Sequence, residues 1–105
     1  MEVPEIDIDE LARLRESGVV LIDVREPEEF EAFRVPGAKL IPLADVPERV
    51  EEIPEDQRVY VICGSGGRSA RAVDFLNRQG LDTVNVAGGS KAWLDAGLPV
   101  EHGPA

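Results

Sequence analysis

Short apolar runs alternate along this chain with segments in which apolar residues recur every three or four positions. Ile8, Leu11 and Leu14 share one helical face; Asp7 or Asp9 can cap that helix, and Gly18 ends it. Val19-Val20-Leu21-Ile22 is a β-branched run that predicts a buried strand ending at Asp23. Pro27 suits the first turn of a second helix, whose early Glu28, Glu29 and Glu31 complement the helix dipole. Pro36-Gly37 marks a turn before a short strand over 39–41, and a helix through Val46, Val50 and Ile53 is stopped by Pro54. A strand over 58–62 leads directly to Cys63. Ala72, Val73 and Leu76 then give a helix its core face up to Gly80, the run 83–86 reads as the last strand, and Gly88-Gly89 opens a helix with Ala92, Trp93 and Ala96.

Strands that alternate with helices require crossover connections, which favour a parallel sheet with helices on both faces. The pattern therefore predicts an α/β fold with a mainly parallel central sheet. Ligands of such sheets bind beyond the carboxyl ends of the strands, where Cys63 falls. No internal repeat and no Gly/Ser-rich linker divides the sequence, so residues 1–105 are expected to form one domain, with 101–105 as a frayed tail.

Composition narrows the function classes. The 105 residues are 43% hydrophobic, enough for a core, and 21 acidic against 11 basic residues give a net charge of −10. That charge repels nucleic acid and anionic membranes, and neither is expected as a partner. No apolar run is long enough to span a bilayer and the first residues are acidic, so a soluble, cytoplasmic protein is expected. A single cysteine fits a reducing compartment. One cysteine and one histidine cannot make a structural zinc site, and neither metal nor cofactor is expected.

Cys63 opens the run Cys63-Gly64-Ser65-Gly66-Gly67-Arg68-Ser69. A strand ending in a thiol, a glycine-rich loop and a helix start aims backbone N–H groups at the sulfur or its substrate. The same field lowers the thiol pKa and raises reactivity. A cation such as Arg68 at a helix start opposes the dipole unless an anion or a carboxylate compensates it, which points to a part in shaping the site. Ser65 and Ser69 offer hydroxyls to the loop or to a bound anion, although Ser69 could equally cap the helix. His102 lies in the tail and carries no role. With no other histidine, the loop itself must stabilise a thiolate.

Five blocks resemble the rhodanese-like domain family in order and spacing: 23–30 (DVREPEEF), 35–38 (VPGA), 41–43 (IPL), 63–69 (CGSGGRS), and 88–93 (GGSKAW) with 96–100 (AGLPV). The resemblance implies a single-domain sulfurtransferase. In such proteins the loop cysteine takes a sulfane sulfur from a donor such as thiosulfate, holds it as a persulfide, and passes it to cyanide or another thiol. Carried onto this sequence, Cys63 is the nucleophile, Gly64, Ser65, Gly66, Gly67 and Ser69 form the cradle for the outer sulfur, and Arg68 closes the loop. Asp23 and Arg25 belong to the shared motif as structural support. Two half-reactions imply ping-pong kinetics. The acceptor, a small thiol or a protein such as thioredoxin, must come from outside, since no second cysteine is present.

Related phosphatase-type domains place five residues between cysteine and arginine, which opens a wider bowl. Here four residues separate Cys63 from Arg68, which favours sulfur over phosphate or arsenate chemistry. The alternative from another class is a sulfur-carrier or regulatory binding module with little turnover. Phe33-Arg34 stands where many members carry Gly-His, and Ser90 replaces a usual apolar residue. The loop adds no positive charge beyond Arg68, which predicts modest thiosulfate activity and a persulfide, small or protein-borne, as donor.

Overall fold

Each helix forms where the sequence supplies a start. In the computed structural model, which describes residues 2–104, the Asp7 carboxylate accepts the Glu10 N–H at 2.9 Å and caps α1 (Ile8–Arg15), whose Leu11 is buried. Helix α2 (Pro27–Ala32) starts with proline and carries a reciprocal capping box between Glu26 and Glu29. Helix α3 (Gly67–Arg78) follows the cysteine loop, and α4 (Gly89–Asp95) follows the paired glycines.

Five strands, β1 (Glu5–Ile6), β2 (Val20–Asp23), β3 (Lys39–Leu40), β4 (Val59–Ile62) and β5 (Thr83–Val86), form one sheet in the order β1-β5-β4-β2-β3. Every pairing is parallel, with Leu21 beside Tyr60 and Val61 beside Asn85 in the central register. The protein is thus a single small α/β domain.

Strand β4 is central and buried on both sides. Its alternation puts Val59, Val61 and Cys63 in one core with Ala72, Val73 and Leu76 of α3, while Tyr60 and Ile62 join Leu11 and Trp93 in the other. Each fully buried large apolar side chain contributes roughly 1.5–3 kcal/mol, so these two cores fix where β4 ends. Trp93 belongs to the packing: it is buried and its indole N–H donates to the Pro99 carbonyl at 2.7 Å.

Three elements differ from the sequence expectation. Strand β1 has only two residues and no alternation to read. The segment Leu43–Glu52 is a 3-10 helix rather than an α-helix, with Pro47 inside it and a break at Arg49. In an α-helix the Pro47 ring would clash with the Leu43 carbonyl four residues back. The tail is pinned over 101–103: Arg34 and Glu101 form an antiparallel bridge, and the Gly103 N–H donates to the Glu31 carbonyl at 2.7 Å. Ala105 lies outside the described residues. No helix among the described residues is long and apolar enough to cross a membrane.

Candidate active site

Cys63 continues the inward alternation of β4, so its side chain enters the α3 core and is only 1% exposed. Gly66, at φ +109°, turns the chain into α3 in a conformation that glycine alone adopts readily. This turn brings the Gly66 N–H to 3.1 Å from Sγ, and the first turn of α3 brings the Ser69 hydroxyl to 3.3 Å. Burial alone pushes the Cys63 thiol up. The Ser69 hydroxyl and the backbone N–H groups of Ser69, Gly66 and Ser65 outweigh it, and the net effect is a lowered pKa.

Ser69 has one hydroxyl proton and two acceptors, Cys63 Sγ and Asn85 Oδ1. Negative charge on sulfur draws that proton, because hydrogen bonds to ionised acceptors are the stronger ones. Asn85 is buried in β5 and its amide is oriented by two acceptors: its Nδ2 donates to Glu5 Oε2 at 2.8 Å and to the Gly66 carbonyl at 3.2 Å.

The other side of the loop is held by α4. The N–H groups of Ser90 and Lys91 donate to the carbonyls of Cys63 and Gly64 at 2.8 and 3.0 Å, and the Ser90 hydroxyl adds a third bond to Cys63 at 3.2 Å. These bonds turn the loop carbonyls toward α4 and leave N–H groups for the sulfur side. The contact is close enough that a Cβ on Gly89 would overlap the carbonyl oxygens of Cys63 and Gly64. The paired glycines are therefore a fit between two backbones.

Arg68 lies at the loop mouth and meets a carboxylate. Its Nη1 and Nη2 donate to Glu29 Oε1 and Oε2 at 2.6 and 3.0 Å, and Glu29 Oε1 also accepts the Glu26 N–H at 2.9 Å. The Arg68 hydrogen bonds, joined by the Glu26 N–H, hold the Glu29 carboxyl at about 2 against the opposing effect of burial. The guanidinium reaches back over Gly64, where an added Cβ would stand 3.2 Å from Nη2.

Asp23 and Arg25 form a buried pair, with Nε 3.1 Å from both carboxylate oxygens and Nη2 2.9 Å from Oδ2. Arg25 also donates to the carbonyls of Glu29 and Phe33 at 3.2 and 2.7 Å, which ties α2 to the end of β2. Glu29 thus receives Arg25 on its carbonyl and Arg68 on its carboxylate.

Of the loop residues singled out from sequence, Gly66 and Ser69 touch Sγ directly, Ser65 contributes its backbone N–H, Gly64 is fastened to α4, and Arg68 stands at the mouth. Gly67 opens α3, and a Cβ there would meet nothing within 4 Å. Sequence reasoning misses three residues: Glu29 stands there only as one of three glutamates that complement the α2 dipole, Asn85 as an ordinary strand position, and Ser90 only as a departure. The signal for Asn85 was available, since asparagine is depleted in buried strands. Among the described residues, no group of three or more His, Cys, Asp or Glu side chains is placed to hold a metal ion.

The chain has counterparts among known proteins. Residues 7–96 match the family model of the rhodanese-like domain. A sulfurtransferase of Allochromatium vinosum is 41% identical over 101 residues, covering 93% of this chain and 94% of its own length. The thiosulfate sulfurtransferase GlpE of Pseudomonas syringae is 32% identical over 93 residues, covering 88% of each chain. The crystal structure of a rhodanese-related protein from Thermoplasma volcanium superposes with a TM-score of 0.87 at 34% identity, covering 93% of this chain and 97% of the other. With family model, relatives and fold in agreement over nearly all its length, this chain belongs to the rhodanese-like domain family.

Proposed function

We propose that this protein is a sulfurtransferase that carries sulfane sulfur as a persulfide on Cys63. The observation that supports it most is the convergence of the Gly66 N–H and the Ser69 hydroxyl on Sγ, at the end of a central strand and within a loop of only four residues between Cys63 and Arg68. Donors placed this way stabilise a thiolate before reaction and a persulfide anion after it.

In the first half-reaction the Cys63 thiolate attacks the outer sulfur of the donor. The Cys63–sulfur bond forms as the donor's sulfur–sulfur bond breaks, and the electron pair leaves with sulfite from thiosulfate or with a thiolate from a persulfide. In the second, an external nucleophile attacks the outer sulfur and Cys63 thiolate is regenerated. Cyanide would leave as thiocyanate; a small thiol or a protein thiol such as that of thioredoxin would leave as a new persulfide. The reading fits a reducing compartment such as the cytoplasm, where a lone thiol stays free.

The test is intact mass after exposure to thiosulfate and to a polysulfide. A gain of one sulfur that cyanide removes, absent in Cys63→Ala, is the expected result. No gain from either donor overturns the proposal. Transfer that is slow to small thiols and fast to one protein would assign the chain to sulfur carriage rather than turnover.

A further inference from the structure

We infer that Glu29 sets donor selectivity: by holding Arg68 in a two-point ion pair, it withholds the guanidinium at the loop mouth from incoming anions, so the site takes sulfur from weakly charged persulfides in preference to the thiosulfate dianion. This rests on the reading of Cys63 as a sulfur acceptor and adds to it the class of donor.

Charge at the mouth is already balanced before a donor arrives. Both Nη atoms of Arg68 point into the Glu29 carboxylate, which is itself held by the Glu26 N–H at the start of α2. With its carboxyl held at about 2, Glu29 stays charged at any ordinary pH. The other cations near the loop do not replace Arg68. Arg25 is buried, paired with Asp23, and saturated by the carbonyls of Glu29 and Phe33. Lys91 follows Gly64 only through its backbone N–H, and its side chain is exposed to water, where its charge is screened. Arg71, one turn along α3, is likewise exposed to water and screened, so with Arg25 and Asp23 cancelling and Arg68 and Glu29 cancelling, the reactive thiolate sets the sign at the mouth. Exposed Glu26 and Glu28 on the first turn of α2 add to that sign.

Thiosulfate approaches this mouth with two charges and leaves as sulfite, also with two. A neutral hydropersulfide brings none, and its thiolate leaves with one, while the outer sulfur and its proton remain on Cys63. At water-like screening, one carboxylate a few ångströms from a dianion is worth about tenfold in affinity.

Glu29→Gln tests the idea, because glutamine keeps the length of the side chain and an oxygen for the Glu26 N–H while removing the charge. Thiosulfate and cysteine persulfide are compared as donors, with cyanide as acceptor. The expected result is a rise of about tenfold in kcat/KM for thiosulfate, carried by KM and reduced at high salt, with little change for cysteine persulfide. Equal changes with both donors, or a loss with thiosulfate, overturn the inference. Glu29→Asp keeps the charge on a shorter arm and is expected to leave thiosulfate activity low; a gain equal to that of Glu29→Gln would show that charge is not the cause.

Sulfate gives a reading that needs no sulfur transfer. Its ability to protect Cys63 from iodoacetamide is expected to be weak in the natural chain and to strengthen in Glu29→Gln. Submillimolar protection of the natural chain overturns the inference even if the variants do not fold. Stronger protection in Glu29→Gln, with no sulfur loading in any form of the chain, would sink the sulfurtransferase reading and leave the charge gate standing.

Discussion

The buried side of the Cys63 loop and its open rim use the same kinds of bond in different surroundings. Beneath the loop, Asp23 and Arg25 are 0% and 2% exposed, Asn85 and Ser69 are buried, and the carbonyls of Cys63 and Gly64 are taken by α4. At the rim, the side chains of Arg68 and Glu29 are 38% and 39% exposed. A buried charge that loses its partner has no water to turn to, whereas an exposed one does. Position of the sulfur is therefore set from below, and the electrostatic character of its entrance is set from above at little cost to stability.

That contrast breaks first at Arg25. Arg25→Met leaves Asp23 buried and uncompensated, and is expected to cost about 3–5 kcal/mol in urea unfolding. Gly89→Ala forces a side chain into the carbonyls of Cys63 and Gly64 at a φ of +64°; strain of this type costs about 1–3 kcal/mol before the overlap is counted, and sulfur loading should fall with it. Ser69→Ala strips Asn85 Oδ1 and Sγ of a donor, costs about 1–3 kcal/mol, and moves the midpoint of Cys63 alkylation to higher pH, because the hydroxyl lowers the thiol pKa in the natural chain. At the rim, Arg68→Met should cost no more than about 1 kcal/mol in the same urea experiment while still changing donor kinetics. An Arg68→Met loss as large as that of Arg25→Met would erase the distinction between the two sides.

Acid should produce the smallest effect. Glu29 is held at about 2 against an ordinary value of 4.5, so its pair contributes fully above the higher value and is lost as pH falls through the lower one. Water screening at a rim site limits that contribution to about 1 kcal/mol or less. Glu29→Gln should accordingly lie below the natural chain by that constant amount near neutrality, and the two stability profiles should converge only as pH falls from 4.5 toward 2.

What the sequence displayed was local. The apolar runs of β2 and β4, the alternation of β5, the apolar faces of α1 and α3, and the thiol before a glycine-rich turn are all written within a dozen residues. The unread parts join distant positions. Glu29 lies 39 residues from Arg68, and nothing in a run of glutamates marks which one turns inward. Glu5 meets Asn85 across 80 residues, and β1 exists only because β5 offers its edge. The unsuited charge of Arg68 at a helix start did point to a missing carboxylate, without saying which. Pro47 likewise stood in plain view, but the i, i+4, i+7 spacing of Val46, Val50 and Ile53 is that of an α-helix, and nothing local showed that 3-10 turns broken at Arg49 would carry Val46 and Ile53 into the same core.

The order β1-β5-β4-β2-β3 has a consequence for synthesis. A chain emerging from the ribosome makes β1 early but has no neighbour for it until β5 is complete, and long-range parallel pairings of this kind form slowly. Until then Asn85 cannot link Glu5 to the Gly66 turn. The turn that holds the Cys63 thiol accordingly gains its last support, from Glu5 through Asn85, only when the finished domain closes around it.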